Sequence, residues 1–437
     1  MSQATEAVQK IENLDCIHCG LCLSSCPTYT RVFREADSPR GRIYLINSVE
    51  EGKISFDETV RRHLDLCLGC RACESACPSG VQFEQLLTGA RARMEKALPR
   101  GRVTQMLRRL GFRHLLPFPR RLHLLFTLAR WMQKLGVHRL ERVFAPGSIA
   151  ARSLAQLETL PAIPRGVRIL QGSFPSLSGS RRRVLFFRGC VMNEIYFPAQ
   201  LATLNVLRAA GCDVEVVSGQ TCCGALHDHN GERETARELA WRNIQAFRDF
   251  GDLPIITNSA GCGALLKHYE HLFEPGDPRR PEAIRFSSRV QDFSEFLIKL
   301  EQPLSWRPLP ARMTYDDPCH LIHGQKISQP PRLLLQQIPG VEFVELNQAS
   351  WCCGGAGTYS MAQPEMSDRV LQDKISNIAA TGAGILVTAN PGCMLQIGAG
   401  LKRANHRVEV LHLAEVLERA LEAKDDYTLK IENPRAQ

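Results

Sequence analysis

The stretch Cys16-Ile17-His18-Cys19-Gly20-Leu21-Cys22-Leu23-Ser24-Ser25-Cys26-Pro27 returns as Cys67-Leu68-Gly69-Cys70-Arg71-Ala72-Cys73-Glu74-Ser75-Ala76-Cys77-Pro78. Both fit C-x2-C-x2-C-x3-C-P, a spacing that serves two [4Fe–4S] clusters at once. Three closely spaced thiolates wrap one corner of a cubane, so one short loop holds three irons. The fourth cysteine is expected to start a helix facing the other way, with the following proline ending the loop and removing a backbone donor. It then reaches the opposite cluster. The expected sets are Cys16, Cys19, Cys22 and Cys77 for one cluster, and Cys67, Cys70, Cys73 and Cys26 for the other. Gly20 and Gly69 give the backbone room to approach the inorganic sulfides.

Zinc also uses C-x2-C pairs, but it takes four ligands and does not call for two identical four-cysteine runs with trailing prolines. The chain has seventeen cysteines in 437 residues. Met1 to Asp15 is polar and acidic without an apolar core, so it does not read as a signal peptide. The longest apolar run, Leu115 to Val137, is broken by Pro117, Pro119, Arg120, Arg121, His123 and Arg130, and does not read as a spanning helix. Clustered thiols in a reducing compartment read as metal ligands or redox groups before disulfides. A cytoplasmic location is the expectation.

Between the runs, Gly41 to Val49 and Asp57 to Leu66 carry apolar residues at helical spacing. This insertion is too long for a minimal ferredoxin hairpin. Together with Ser38-Pro39-Arg40-Gly41-Arg42-Ile43 it resembles the α-helical ferredoxin domain of fumarate-reductase-like and hydroxy-acid-oxidising complexes.

Four regions follow from composition. Residues 1–95 form the two-cluster ferredoxin domain. Residues 96–180 lack cysteine and read as basic amphipathic helices followed by a Pro/Gly/Ser-rich linker, Pro161 to Ser180. Residues 181–305 and 306–437 form two related α/β units. In the first, a strand Val184 to Phe187 leads to Cys190, a helix Ala199 to Ala210 and a strand Val214 to Val217. Cys222-Cys223-Gly224 comes next, then a helix Glu232 to Phe250 and a strand Pro254 to Thr257 ending near Cys262. The second repeats this with Arg312 to Tyr315 before Cys319, Val341 to Leu346 before Cys352-Cys353-Gly354, a helix Glu365 to Ala380, and Ile385 to Thr388 before Cys393. Matched element order at a near-constant offset implies an internal duplication. The cysteines follow strand ends, where open parallel sheets place their sites.

The duplicated pattern resembles the cysteine-rich CCG domain of heterodisulfide reductase and of membrane-linked dehydrogenase subunits. In heterodisulfide reductase the motif carries a further cysteine and binds non-cubane clusters; here Leu265 and Gln396 stand at that place. Two sets remain: Cys190, Cys222, Cys223 and Cys262, and Cys319, Cys352, Cys353 and Cys393. Each is a candidate for a further cluster or metal, for a reversible thiol site, or for packing alone. Cys212 has no counterpart in the second unit and reads as a small buried hydrophobe. His320 is either a ligand or a hydrogen-bonded structural residue. Gly354-Gly355-Ala356-Gly357 lacks a following Lys-Ser/Thr and is not a P-loop; it gives backbone access to Cys352 and Cys353.

The fold class expected is thus an N-terminal α-helical ferredoxin domain with two [4Fe–4S] clusters, followed by two tandem α/β CCG repeats with small parallel sheets. As a whole the chain resembles the iron–sulfur subunits of glycolate oxidase. The resemblance implies an electron-transfer subunit in a hetero-oligomer with an FAD-binding hydroxy-acid dehydrogenase. Electrons would pass from glycolate oxidation towards a quinone or other membrane acceptor, and no residue here would act as acid or base on the substrate. The equivalent subunits for lactate and for anaerobic glycerol-3-phosphate oxidation share these motifs. No G-x-G-x-x-G follows a strand and opens a helix, so neither flavin nor nicotinamide is expected on this chain.

The net charge of +9 is concentrated: Arg91 to Arg183 holds about twenty Lys and Arg against Glu95, Glu141 and Glu158. Such a block is a docking surface for something anionic or a solvated helical face. Nucleic acid is not expected, because no aromatic stacking face accompanies the arginines. Peripheral attachment at the cytoplasmic face of a membrane is.

Overall fold

The computed structural model describes residues 16–136, 169–177, 182–301 and 304–422. Met1 to Asp15 and most of Pro161 to Ser180 lie outside the described residues.

The N-terminal part is helical. α1 (Pro39–Glu50) begins in the Ser38-Pro39-Arg40-Gly41 motif: the Ser38 hydroxyl accepts from the Gly41 N–H at 2.9 Å, and Pro39 sits in the first turn. Ser is a strong N-cap and Pro a strong first residue for the same reason, since the first turn has spare N–H groups. A Cβ on Gly41 would overlap the carbonyl oxygen of Glu35, so this helix can enter only with glycine there. α2 (Glu58–Asp65) is capped by Asp57, whose side chain accepts from Val60 N–H at 2.8 Å. α3 (Phe83–Ala97) follows the second cysteine run. Ile43, Ile46, Val60, Leu64, Leu86, Leu87, Ala90 and Met94 make the core of this layer, with cysteines on its rim.

α4 (Arg102–Arg108) continues into a wider π-type turn over Arg109–Leu115, and α5 (Pro119–Lys134) follows. These elements lean on the first α/β unit through a few anchors. Phe112 is buried edge-on to His227, and the His123 ring lies 2.9 Å from Glu194.

The first unit holds a five-stranded sheet in the order β1-β3-β2-β4-β5, made of β1 (Gly172–Phe174), β2 (Arg182–Phe187), β3 (Cys212–Val216), β4 (Ile255–Thr257) and β5 (Val290–Asp292). The second holds β6 (Ala311–Tyr315), β7 (Val341–Phe343), β8 (Ile385–Thr388) and β9 (Glu409–His412) in the order β7-β6-β8-β9. Among the described residues the strand pairings within the two sheets are parallel except β1 with β3. The two small parallel sheets expected from the sequence are present, and β1 adds one antiparallel strand at the edge of the first. Gly172–Phe174 lies in the stretch read as linker, but Phe174 pairs with Val214 and lies half-buried against the core. A three-residue strand has too few side chains to show alternation, which is why composition read it as coil.

The units pack through α6 (Phe197–Ala209) and α10 (Leu413–Ala420), with α7 (Arg233–Ala246), α8 (Pro364–Ala380) and α9 (Pro391–Arg403) covering other faces. One apolar cluster runs through Leu204, Val206 and Leu207 of the first unit and Leu413, Val416 and Leu417 of the second. Continuous burial of this kind makes the two units one body. It also turns their cysteine loops towards each other, with Ala260 N–H donating to the Ala389 carbonyl at 3.0 Å and Gly261 N–H to Asn390 Oδ1 at 3.1 Å.

Candidate metal centres

Among the described residues, two cysteine-lined cavities lie in the helical layer. The first is lined by Cys16, Cys19, Cys22 and Cys77, with Arg40 and Cys73 at its wall. The second is lined by Cys26, Cys67, Cys70 and Cys73, with Arg42. The structure thus gathers each run's first three cysteines with the other run's fourth, while Cys73 borders both cavities. Positive φ at Gly20 (83°) and Gly69 (63°) turns each loop back on itself. One local expectation is corrected. Cys26 leads into a short helix at Tyr29–Val32, but Cys77 starts none: a turn through Gly80 precedes Phe83. The crossover at Cys77 comes from that turn, not from a helix axis.

The arginines of α1 were not singled out in the sequence, although they lie in the quoted motif. Two residues apart, they serve different cavities. Arg40 donates to the His18 carbonyl at 3.0 Å and pairs with Glu35 at 2.6 Å, clasping the first loop. Arg42 is fully buried; it donates to the His63 carbonyl at 2.8 Å and to Thr28 at 3.1 Å, and stands 4.0 Å from Cys26 Sγ. Burial works against its charge, but Cys67, Cys26 and Asp37 outweigh it and raise its pKa. A buried guanidinium beside two cysteines suits an anionic, thiolate-bound group in that cavity. Burial pushes the thiols of Cys73 and Cys70 well up, with Cys319 beside Cys70 and Cys70 beside Cys73 adding to it. Metal binding is what turns such thiols into thiolates.

The cysteines of each duplicated unit also converge. In the first unit Cys190 Sγ lies 3.6 Å from Cys222 Sγ, and Cys223 faces Cys262. In the second, Cys353 Sγ lies 3.5 Å from Cys393 Sγ, and Cys352 faces Cys319. Gly224 and Gly354, both with positive φ, let their N–H groups point at Cys222 (3.5 Å) and Cys352 (3.4 Å). Thiol hydrogen bonds from Cys190 and Cys223, with His227 beyond, pull Cys222 well down. Bonds from Cys352 and Cys393 do the same to Cys353. Behind the second set Lys374, fully buried, pairs with Asp316 at 2.9 Å. His227 and Lys374 were missed in the sequence. His227 had a local signal, three residues after Gly224, whereas Lys374 reads as one more surface cation on an amphipathic helix. Cys212 is fully buried in the apolar core, as expected.

The second set is not isolated. Cys70, Cys352, Tyr359 and Leu68 share one buried cluster with Cys319 at its edge, and the Tyr359 hydroxyl donates to the Leu66 carbonyl at 2.9 Å. His320 is hydrogen-bonded, its Nε2 lying 3.2 Å from the Gly69 carbonyl. Burial, with His229 and Arg71 nearby, pushes His320 down to about 4. Burial would raise Glu84, but His229 and Arg71 outweigh it and hold this carboxyl at about 2.

Comparison with known proteins agrees with this layout. Residues 12–81 match the 4Fe-4S dicluster domain, and residues 184–267 and 313–398 match the CCG cysteine-rich domain. The chain is 40% identical to the probable glycolate oxidase iron-sulfur subunit of Bacillus subtilis (strain 168), over 94% of its own length and 95% of the relative's. It is 31% identical to the glycolate oxidase iron-sulfur subunit of Escherichia coli (strain K12), over 93% and 94%. The chain belongs to the glycolate oxidase iron–sulfur subunit family. Lactate utilization protein A of Geobacillus thermodenitrificans is 33% identical over 98% of its length, which covers 54% of this chain. As a member of the family the chain has a two-cluster [4Fe–4S] domain followed by paired CCG domains. Among the described residues no helix is long and apolar enough to cross a membrane.

Proposed function

We propose that this chain carries electrons one at a time from a partner flavoprotein, which oxidises glycolate to glyoxylate, towards a quinone-type acceptor. The observation that carries the reading is a line of cysteine sites. It runs from exposed Cys19 through the shared wall at Cys73 to buried Cys70, and on to Cys319 and Cys352. When bound, each cluster accepts and releases a single electron, which lets a two-electron flavin empty in steps. The chain's own residues hold the thiolates, exclude water and set the local charge.

In this reading Cys16, Cys19, Cys22 and Cys77 ligate one cluster and Cys67, Cys70, Cys73 and Cys26 the other. The first lies at the surface among exposed Ile17, Leu21 and Tyr44, a rim suited to a partner subunit. The second is interior. The Cys190/Cys222/Cys223/Cys262 and Cys319/Cys352/Cys353/Cys393 sets hold further iron. Full-length similarity to glycolate oxidase subunits, against partial similarity to a lactate utilization protein, favours glycolate. Approach to a membrane acceptor uses the cationic, apolar face of residues 102–135.

Cys26→Ser with EPR of the reduced protein is the test. The signal of the cluster anchored by Cys67, Cys70 and Cys73 should change; a change confined to the other cluster would overturn the crossed assignment. The isolated chain should be reducible but should not oxidise glycolate without its partner.

A further inference from the structure

We propose that Glu84, His229 and His320 form a divalent-metal site of the zinc class, outside both cysteine systems, at the junction of the three modules. Glu84 comes from the first turn of α3, His229 from the short helix after Cys222-Cys223-Gly224, and His320 from the turn beside Cys319. One ligand atom from each lies within 4.8 Å of the others. The Glu84 Oε1 to His229 Nε2 separation, 3.3 Å, already matches the edge of a zinc tetrahedron with bonds of about 2.0 Å. The two imidazoles stand 5.0 Å apart, centroid to centroid, and tilt 33° from one another.

The surroundings suit a cation. His320 is anchored through Nε2 to the Gly69 carbonyl at 3.2 Å, the kind of outer hydrogen bond that orients a ligating imidazole. Arg71 pairs with Glu84 and, at 2.8 Å, with Glu74. Arg71 takes one oxygen of Glu84, Oε2, and the other, Oε1, faces His229. Glu74 also accepts from the Glu84 N–H at 2.7 Å, fixing the start of α3. Two imidazoles and a carboxylate are a common zinc donor set, with one position left for water. A metal here would staple the ferredoxin module to both α/β units beside the Cys70–Cys319 contact.

The test uses the full chain, purified anaerobically with its iron. It is equilibrated with zinc alone, washed with a weak chelator, and examined by metal analysis and zinc K-edge X-ray absorption. The expected result is one retained zinc per chain with only nitrogen and oxygen neighbours near about 2.0 Å. His229→Ala and Glu84→Gln should each lose that zinc at unchanged iron content. No retained zinc, sulfur neighbours near about 2.3 Å, or equal retention in His229→Ala would overturn the proposal. The spectrum of the unaltered chain identifies the ligands by itself, so a variant that misfolds does not protect the idea.

Discussion

The guanidinium of Arg42 lies 4.0 Å from the sulfur of Cys26, completely buried, with Asp37 also 4.0 Å away. Asp37 is itself committed to His63 at 2.7 Å, so the arginine's charge is left largely for the cysteine cavity. A unit charge some 5 Å from a redox centre, at an effective dielectric near 20, is worth about 3 kcal/mol. For one electron that is on the order of 100 mV. Arg42→Gln should lower the midpoint potential of the cluster in that cavity by tens of millivolts, partial screening by Asp37 included. The other cluster should move much less. Potentiometric EPR titration checks this, and equal shifts of both clusters would show general loosening instead.

Gly41 decides whether α1 can start where it does. Gly41→Ala forces the chain away from the Glu35 carbonyl and pulls Arg40 and Arg42 off their two loops. Strain of this kind costs about 3 kcal/mol. The expected outcome is low iron content and a lowered melting temperature, read by iron analysis and calorimetry of the anaerobic protein.

The cysteine runs and the duplicated strand order were legible because they are local. Ligand spacing and strand-to-cysteine intervals survive in one dimension. What the sequence hid is set by partners far along the chain. Lys374 becomes a buried cation only because Asp316 waits beneath it, and Glu84, His229 and His320 meet only when three modules pack. The edge strand at Gly172–Phe174 was hidden for another reason, being recognisable only by its partner Val214–Val216. The sequence also held no cue that Cys70 and Cys319 would be neighbours, since nothing local links residues so far apart.

His412 ties the second unit to the first. Its Nε2 donates to the Asn258 carbonyl at 2.8 Å, and Nδ1 accepts from Ala414 N–H at 3.1 Å, capping α10. Burial pushes its pKa down to about 4. The unfolded chain, with an ordinary histidine near about 6.5, binds the proton more tightly, so stability is full above that value and falls as pH drops towards 4. Between pH 7.5 and 5.5 the loss from this residue is roughly 1.3 kcal/mol. His412→Asn keeps a cap acceptor and should flatten that part of the melting-temperature profile. An unchanged slope would assign the pH dependence to other groups.

The paired cysteine sets predict an iron count. With four thiols converging in each unit, and Cys222 and Cys353 pulled down by their neighbours, the anaerobic protein should hold iron beyond the eight atoms of two cubanes. The Cys222→Ser, Cys352→Ser double variant should fall to the two-cubane level in iron and acid-labile sulfide. A count that does not change would leave these cysteines to thiol chemistry or to packing.

The last prediction concerns the face of residues 102–135. No acidic residue occurs between Glu95 and Glu141. Along α5 only Leu122 is buried, while Leu124, Leu128 and Trp131 are exposed, with Leu135 just beyond the helix end. Met106, Leu107 and Leu110 are exposed on the preceding helix and turn, among the exposed cations Arg109, Arg113, Arg120 and Arg121. Apolar side chains with a cationic fringe suit a helix lying in a lipid surface, where apolar burial and attraction to anionic headgroups add. Each cation near such a surface contributes about 1 kcal/mol, and salt screens the attraction beyond a Debye length. Sedimentation with anionic vesicles should therefore show binding that weakens at high salt. Replacing Arg109, Arg120 and Arg121 by Glu should weaken it by two orders of magnitude or more, since three attractions of about 1 kcal/mol each become repulsions. Trp131→Ser should weaken binding by a smaller factor that salt does not change, because it removes apolar burial alone. Equal, salt-insensitive pelleting of all forms would mean that this face meets protein or solvent instead of lipid.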